Sequence, residues 1–456
     1  MVAAFDNQVL KTLTVESPSR VEAAIALAFL TYNDPDVKLP PYKRIEILQK
    51  LIHMMHSRKE VMIETAVKEG GKPWMDTEVE VDRAIQGVHT AINEIENLAG
   101  TQIPMGITKG SQNRLAFTTI EPGGVVLAIS AFNHPVNLIV HQVIPAIAAG
   151  CPVIIKPAST TPLSCLHFID LLYQAGLPKA YCQALITTRE DAAKLVSDKR
   201  ISFLTFIGSE KVGWRLRAMV APGVHCALEH GGAAPVIVEK DADLDKMIPA
   251  LLKGGYYHAG QVCFSVQRVY VHEAIADEVV ARFTSQVKKL VVGDPLDKKT
   301  EVGPLISPKE VDRVEKWVNE AAQSGGKILC GGKRISDTLY EPTVILNPGK
   351  DAQVSVQEIF GPVVCFYTYT SRDDAINEAN SLPYCFQAAV FTQDIHSAFD
   401  AVQKLKARAV MVNDHTAFRV DWMPFGGAEQ SGLGTGGIGY SIKDMTREKL
   451  IVLNLS

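Results

Sequence analysis

Residues 201–229 read ISFLTFIGSEKVGWRLRAMVAPGVHCALE. Two runs in it, ISFLTFI (201–207) and HCALE (225–229), are short, apolar, and bounded by glycine and small polar residues, which is the pattern of a strand buried on both faces. Between them GSEKVG turns into a helical stretch. A strand, a crossover helix and a second strand pair in parallel, because only a crossover returns the chain in the same direction. The texture extends upstream to VVLAIS (125–130), PVIIK (152–156) and YCQALIT (181–187). Short apolar runs alternating with helical stretches predict a parallel sheet covered by helices.

A second series follows: APVIVEK (234–240), the helical DLDKMIPALLKGGYYHAG (243–260), RVYVH (268–272), an amphipathic stretch over 275–290 and AVMVND (409–414). The fold class read from these runs is α/β, with two doubly wound units sharing a cleft. The part before residue 100 reads as helices. Leu48, Leu51, Ile52 and Met55 recur at helical spacing, and Ser57 with Glu60 resembles a capping box opening a second helix that stops at Gly70 and Gly71. His53 and His56 lack a third ligand, so no metal site is expected.

Composition narrows the function classes. With 456 residues the chain exceeds one ordinary core. Lys+Arg 46 against Asp+Glu 50 leaves a net charge of -4, too little field to gather nucleic acid. The 8 cysteines are scattered, with no CxxC pair, and the opening MVAAFDNQVLKT lacks the apolar core of a secretion signal, so a cytoplasmic protein with free thiols is expected. The uncharged run after Pro122 is interrupted by Asn133, His134, Pro135, Asn137, Gln142 and Pro145, which argues against a membrane span.

Parallel sheets bind ligands at the carboxyl ends of their strands. There stand Ser130 followed by AFNHPVN, Lys156 followed by PASTTP, Gly208 and Ser209 opening a helix, and Glu229 followed by HGGAAP. The Gly-Ser turn offers free N–H groups to an anion but lacks the GxGxxG fingerprint. Lys156 at a strand end reads more readily as a solvated terminus than as a ligand, and Asn133 before Pro135 as a turn residue. Glu229 closing an apolar strand is a desolvated carboxylate with raised proton affinity. Cys263, in GQVCFSVQR (260–268), is either a small core filler or a nucleophile.

Taken together, FNHP, KPAS, the Gly-Ser helix start, LEHGG, GQVC, EIFGPV (358–363) and PFGG (424–427) resemble, in order and spacing, the motifs of the aldehyde dehydrogenase superfamily from about residue 20 onward. The resemblance implies Cys263 as nucleophile, Asn133 as oxyanion donor and Glu229 as general base. It places Lys156 and Glu358 on ribose hydroxyls, Gly208 and Ser209 against a pyrophosphate, and Ser130, Phe132, Ser159 and Phe360 around the cofactor. It implies a Rossmann-like cofactor domain (1–100 and 122–230), a catalytic domain (231–425) and an oligomerisation arm (101–121 and 437–456) that makes a homodimer or homotetramer.

Some positions depart from the family pattern. Ser159 stands where members preferring NAD carry glutamate; a serine leaves room for a 2'-phosphate, so NADP, or use of both NADP and NAD, is expected. Phe132 replaces a common tryptophan, and Ala233 and Glu429 replace common lysines. His134 and Arg419 suit an anionic or hydroxylated aldehyde, unless Arg419 pairs with Asp421. Val262 stands where some phosphate- or phosphonate-using members have arginine, which favours a small polar aldehyde. The reaction expected is NAD(P)-dependent oxidation to a carboxylate through a cysteine thiohemiacetal and thioester. The alternatives are a coenzyme A-acylating dehydrogenase, disfavoured by Glu229, and a non-catalytic protein on the same fold.

Overall fold

Strands Val125–Ile129 and Ile201–Ile207 lie side by side in parallel, Val126 opposite Phe203 and Ile129 opposite Phe206, in a computed structural model that describes residues 1–455. Their apolar side chains are buried on both faces, which is why the sequence shows continuous runs here rather than alternation. The sheet has six strands in the order Gly432–Leu433, His225–Glu229, Ile201–Ile207, Val125–Ile129, Val153–Lys156 and Cys182–Ala184. All pairs are parallel except the first, in which Gly432 faces Glu229. The register puts Ile129 beside Lys156 and Ile207 beside Glu229, so the carboxyl ends of neighbouring strands form one edge.

A second sheet of seven strands runs Lys327–Cys330, Thr343–Leu346, Val363–Tyr369, Arg268–His272, Pro235–Val238, Gln387–Phe391 and Ala409–Val412, parallel throughout except at Lys327–Cys330. A third, antiparallel sheet joins Gln102–Ile103, Arg114–Pro122 and Thr446–Asn454. Helix Ile438–Asp444 packs Ile438 and Ile442 into the core shared by the first sheet and the N-terminal helices. Among the described residues no helix is long and apolar enough to cross a membrane.

Some local expectations are corrected. The run over 181–187 pairs only at Cys182–Ala184. The capping box at Ser57 does not form: the Ser57 hydroxyl donates back to the Met54 carbonyl at 2.9 Å, and helix Lys59–Gly70 starts from Arg58 without a side-chain cap. The preceding helix Pro41–Ser57 runs through Ser57, which leaves that residue helical and unable to cap. The stop at Gly71 forms as expected, with φ 73°, where glycine avoids the Cβ penalty of the left-handed region.

Candidate active site

The turn that carries Cys263 is under backbone strain. Helix Leu244–Tyr256 ends in three consecutive left-handed residues, His258 (φ 49°), Ala259 (φ 52°) and Gly260 (φ 71°). Each non-glycine residue in that region costs roughly 1–2 kcal/mol, so the surroundings must hold it. Gln261 does so: its side-chain amide donates to the carbonyls of Pro304 at 3.1 Å and His258 at 3.3 Å, and its side-chain oxygen accepts the Ile306 N–H at 2.9 Å. A Cβ on Gly260 would overlap the carbonyl of Gly361, so the glycine also lets the EIFGPV loop approach.

The Asn133 amide donates one N–H to the carbonyl of Gln261 at 2.9 Å. An amide has two such hydrogens, and the second remains for a ligand beside Cys263. Behind this loop, helix Trp74–Glu96 supplies Glu80, whose Oε1 accepts the N–H groups of Val136 and Asn137 at 2.8 and 2.9 Å. Those groups open helix Asn137–Ala149, so a carboxylate sits where the helix start favours negative charge. Glu80 Oε2 pairs with Lys72 Nζ at 2.5 Å, both side chains fully buried.

These elements close a cleft of about 670 Å³ between the two sheets. Its lining includes Cys263, Asn133, Glu229, Ser130, Phe132, His134, Gly208, Ser209, Glu358, Phe360 and Arg419. Lys156 and Ser159 stay outside it: Ser159 is exposed on the following loop, and the Lys156 ammonium donates to the Pro157 carbonyl at 3.2 Å.

Burial pushes the Cys263 thiol well above its usual range; the neighbouring carboxyls of Glu358 and Glu229 add to the rise, and Arg419 opposes it. The resting sulfur is therefore protonated near neutrality. Alkylation of Cys263 by iodoacetamide should accelerate about tenfold per unit between about pH 7 and pH 9, as the thiolate fraction grows. Peptide mapping after timed quenching reads this rate, and a rate already level at neutrality would mean that the cationic side of the cleft dominates.

Burial likewise raises the Glu229 carboxyl, with Arg419 opposing, and raises Glu358 to about 8. Glu358 rests against the glycines of LEHGG, Oε1 accepting the Gly232 N–H at 3.3 Å. A Cβ on Gly231 would overlap that carboxylate.

Two features fit a dinucleotide in the cleft. The Ser130 hydroxyl is buried without a partner among the described residues, and Ser209 caps helix Glu210–Arg217 without spending its side chain on the first turn, which leaves N–H groups for a phosphate.

At the other lining surface the expected pairing of Arg419 is only partial. Asp421 is held by Arg83, Nε to Oδ2 at 3.0 Å and Nη2 to Oδ1 at 2.7 Å, and by His141 Nε2 at 2.7 Å. Arg419 Nε stands 3.8 Å from the same carboxylate and has no hydrogen-bond partner among the described residues, while its Nη2 donates to His141 Nδ1 at 3.4 Å and its guanidinium carbon lies 3.3 Å from the ring centre of Phe425. Burial alone would raise the Asp421 carboxyl, but the hydrogen bond from His141 and the Arg83 guanidinium outweigh it and hold the group well below the carboxylate range. Burial, reinforced by Arg419, keeps His141 neutral. At this end of the cleft two guanidinium groups, Arg83 and Arg419, share the Asp421 carboxylate; Arg189 and Arg313 line it elsewhere. His134 is neutral, its pKa pushed well down by burial, and its Nε2 lies 3.2 Å from the Tyr257 hydroxyl.

The chain matches the model described as the aldehyde dehydrogenase family over residues 1–451. The chain belongs to the aldehyde dehydrogenase family. It is 40% identical over 417 residues to the 3-sulfolactaldehyde dehydrogenase of Priestia aryabhattai, covering 91% of this chain and 87% of the relative. Among solved structures it is similar to aldehyde dehydrogenase 21 from Physcomitrella patens in complex with the reaction product succinate (TM-score 0.96, 37% identity, 100% of this chain and 94% of the other). It is also similar to the glyceraldehyde-3-phosphate dehydrogenase GapN of Methanocaldococcus jannaschii complexed with NADP (TM-score 0.94, 35% identity, 99% and 98% covered). As a member of the aldehyde dehydrogenase family the protein is an NAD(P)-dependent oxidoreductase on an α/β fold with a Rossmann-like half.

Sequence reading passed over several lining residues of this dehydrogenase, among them Arg83, His141, Arg189, Glu310 and Arg313. Arg83 sits on an amphipathic helix, where a charge reads as solvated. His141 lies inside an apolar helix, and Arg189 is the first residue of helix Arg189–Val196 after a polar loop. None carries a local signal.

Proposed function

We propose that this aldehyde dehydrogenase oxidises a small aldehyde bearing an anionic group to its carboxylate, with NADP as the favoured hydride acceptor. The observation that carries the reading is that Cys263, Asn133 and Glu229, far apart in the chain, line one cleft with Arg419, whose Nε has no hydrogen-bond partner among the described residues. Once the Cys263 thiol has lost its proton to water, its sulfur adds to the aldehyde carbon, and the oxygen that becomes anionic accepts from the free N–H of Asn133 and from the Cys263 backbone. Donors of this kind are each worth about 3–4 kcal/mol of barrier. The bound nicotinamide supplies the acceptor for the hydride. Glu229 then takes a proton from the water that opens the thioester, and its raised proton affinity suits that task.

An anionic substrate is supported by charge balance. Arg83 and Arg419 share the single Asp421 carboxylate, and Arg83 holds it through two hydrogen bonds while Arg419 stands 3.8 Å away, which leaves Arg419 with positive charge to offer a substrate anion. The relatives act, by name, on 3-sulfolactaldehyde and glyceraldehyde 3-phosphate, and one structure holds succinate. NADP is supported by Arg189, which lines the cleft with Ala158 and, after burial, is what lowers the pKa of Lys156. Two adjacent cations there suit a 2'-phosphate better than a hydroxyl.

The experiment is a panel of lactaldehyde, 3-sulfolactaldehyde, glyceraldehyde 3-phosphate and succinate semialdehyde with each cofactor, read as reduced nicotinamide absorbance. Turnover with none of them removes the reading; a product thioester formed only with coenzyme A favours the acylating alternative. Arg419→Leu should lower kcat/KM for the anionic aldehydes by about 30-fold to 1,000-fold and for lactaldehyde by no more than about threefold. Asp421 keeps Arg83 and His141 in that variant, so the fold should survive. Arg189→Ala should raise the KM for NADP by about 10- to 100-fold and leave that for NAD nearly unchanged.

The division into a cofactor domain (1–100 and 122–230), a catalytic domain (231–425) and an arm (101–121 and 437–456) is part of this proposal, as are the assignments of Lys156 and Ser159 to the cofactor. So are a homodimer or homotetramer and a cytoplasmic location. Exposed Leu450, Val452 and Leu453 on strand Thr446–Asn454 support self-association. Light scattering of the intact chain reads the oligomer.

A further inference from the structure

The segment from Gly426 to Gly437 is rich in glycine, and most of its glycines need no further explanation: Gly426, Gly432, Gly434 and Gly437 have φ of 151°, 150°, 87° and 105°, values that side chains resist. Gly436 is different. Its φ lies outside that region, so its backbone alone would accept any residue. What excludes a side chain is the carboxylate of Glu229: a Cβ on Gly436 would overlap Oε1, standing also 3.3 Å from Cδ and 3.2 Å from the Phe425 carbonyl oxygen.

The seat is rigid on both sides. Glu229 has its backbone held by Ile207 on one flank and Gly432 on the other, so only its side-chain torsions are free. Gly436 is bridged to Phe425, whose N–H donates to the Gly436 carbonyl at 3.0 Å, and Phe425 carries the stacked Arg419. In this position no hydrogen bond from the described residues occupies the Glu229 carboxylate, which leaves its oxygens for water.

We propose that Gly436 is a positioning residue for the hydrolytic half-reaction: by lacking a side chain it gives the Glu229 carboxylate its working seat. This rests on the reading of Glu229 as general base. From that seat the carboxylate takes a proton from water while the water oxygen bonds to the thioester carbon. The carbon–sulfur bond then breaks, and the departing Cys263 sulfur recovers the proton from Glu229. A side chain at 436 turns the carboxylate out of the seat and slows this step, while sulfur addition and hydride loss, which do not use it, continue.

Rapid mixing of the whole enzyme with NADP and its best aldehyde tests this. Gly436→Ala should give a first turnover of about one reduced nicotinamide per site and a later rate about 10-fold or more below the unaltered enzyme. Glu229→Gln is the reference: if it turns over normally, the general-base reading fails. If Glu229→Gln stalls and Gly436→Ala does not, the seat is overturned while the base stands. In a Glu229→Ala background, Gly436→Ala should slow the enzyme no further; an additional loss of equal size overturns the proposal. Should Gly436→Ala lower the thermal midpoint, the Glu229→Ala/Gly436→Ala pair should restore it, because the obstructing atoms are gone. A midpoint that stays low means Gly436 serves the fold by another contact and also overturns the proposal.

Discussion

Cys263→Ala is expected to lower kcat by about 10,000-fold or more while the Kd for NADP changes by no more than about twofold. An aldehyde carbon releases hydride only after a nucleophile has made it tetrahedral and its oxygen can push electrons back. The sulfur is the group placed to do this, at the end of a strained turn that Gln261 pins and Asn133 touches. Alanine fits the same space, among Val262, Phe264 and Phe425, so folding should be unaffected. Steady-state oxidation, with cofactor binding followed by nicotinamide fluorescence, checks both halves. Activity within tenfold of the unaltered enzyme would remove covalent catalysis from the mechanism.

The second large effect is on stability. Glu80→Ala should destabilise the protein by about 3–5 kcal/mol, since it removes the hydrogen-bonded counter-charge of the buried Lys72 ammonium and leaves only the more distant Asp76. Burial already lowers the Lys72 pKa, and Glu80 is what opposes that. The same change strips the N–H groups of Val136 and Asn137 of their acceptor, next to the Asn133 loop. Denaturant unfolding followed by circular dichroism measures the loss. The pair Lys72→Met/Glu80→Leu should recover most of it, because neither partner then remains charged in the core. If the pair is as unstable as Glu80→Ala, the helix-start contacts carry the effect rather than the unpaired charge. Either way kcat should fall with Glu80→Ala, as the oxyanion loop loses its support.

Both variants touch residues of different legibility. Cys263 was visible in sequence because its neighbours GQVC recur in order with six other motifs. Glu80 was not, although it supports the same site. A glutamate on the amphipathic helix Trp74–Glu96 looks solvated until the helix beginning at Asn137 is docked against it. His134 shows the converse. Its place beside Asn133 suggests a reader of an anionic or hydroxylated aldehyde; burial makes it neutral and the Tyr257 hydroxyl lies against one nitrogen, which the chain alone does not reveal. Ser57 with Glu60 had the local form of a cap, yet packing of Leu51 and Met55 carried the previous helix through it.

Periodicity and punctuation are legible in the chain alone. Runs buried on both faces must be continuous, glycine punctuates turns, and polar residues collect after strands, so the α/β class follows from local rules; the roles of Cys263, Asn133 and Glu229 came instead from the resemblance of ordered motifs to a known family. Only the tertiary structure decided which distant groups meet. Arg83 and Asp421 pair across 338 positions, and Gly436 opens a place for Glu229. The reason is physical: a charge or a gap gains its meaning from what desolvates or fills it, and those neighbours come from other elements of the fold.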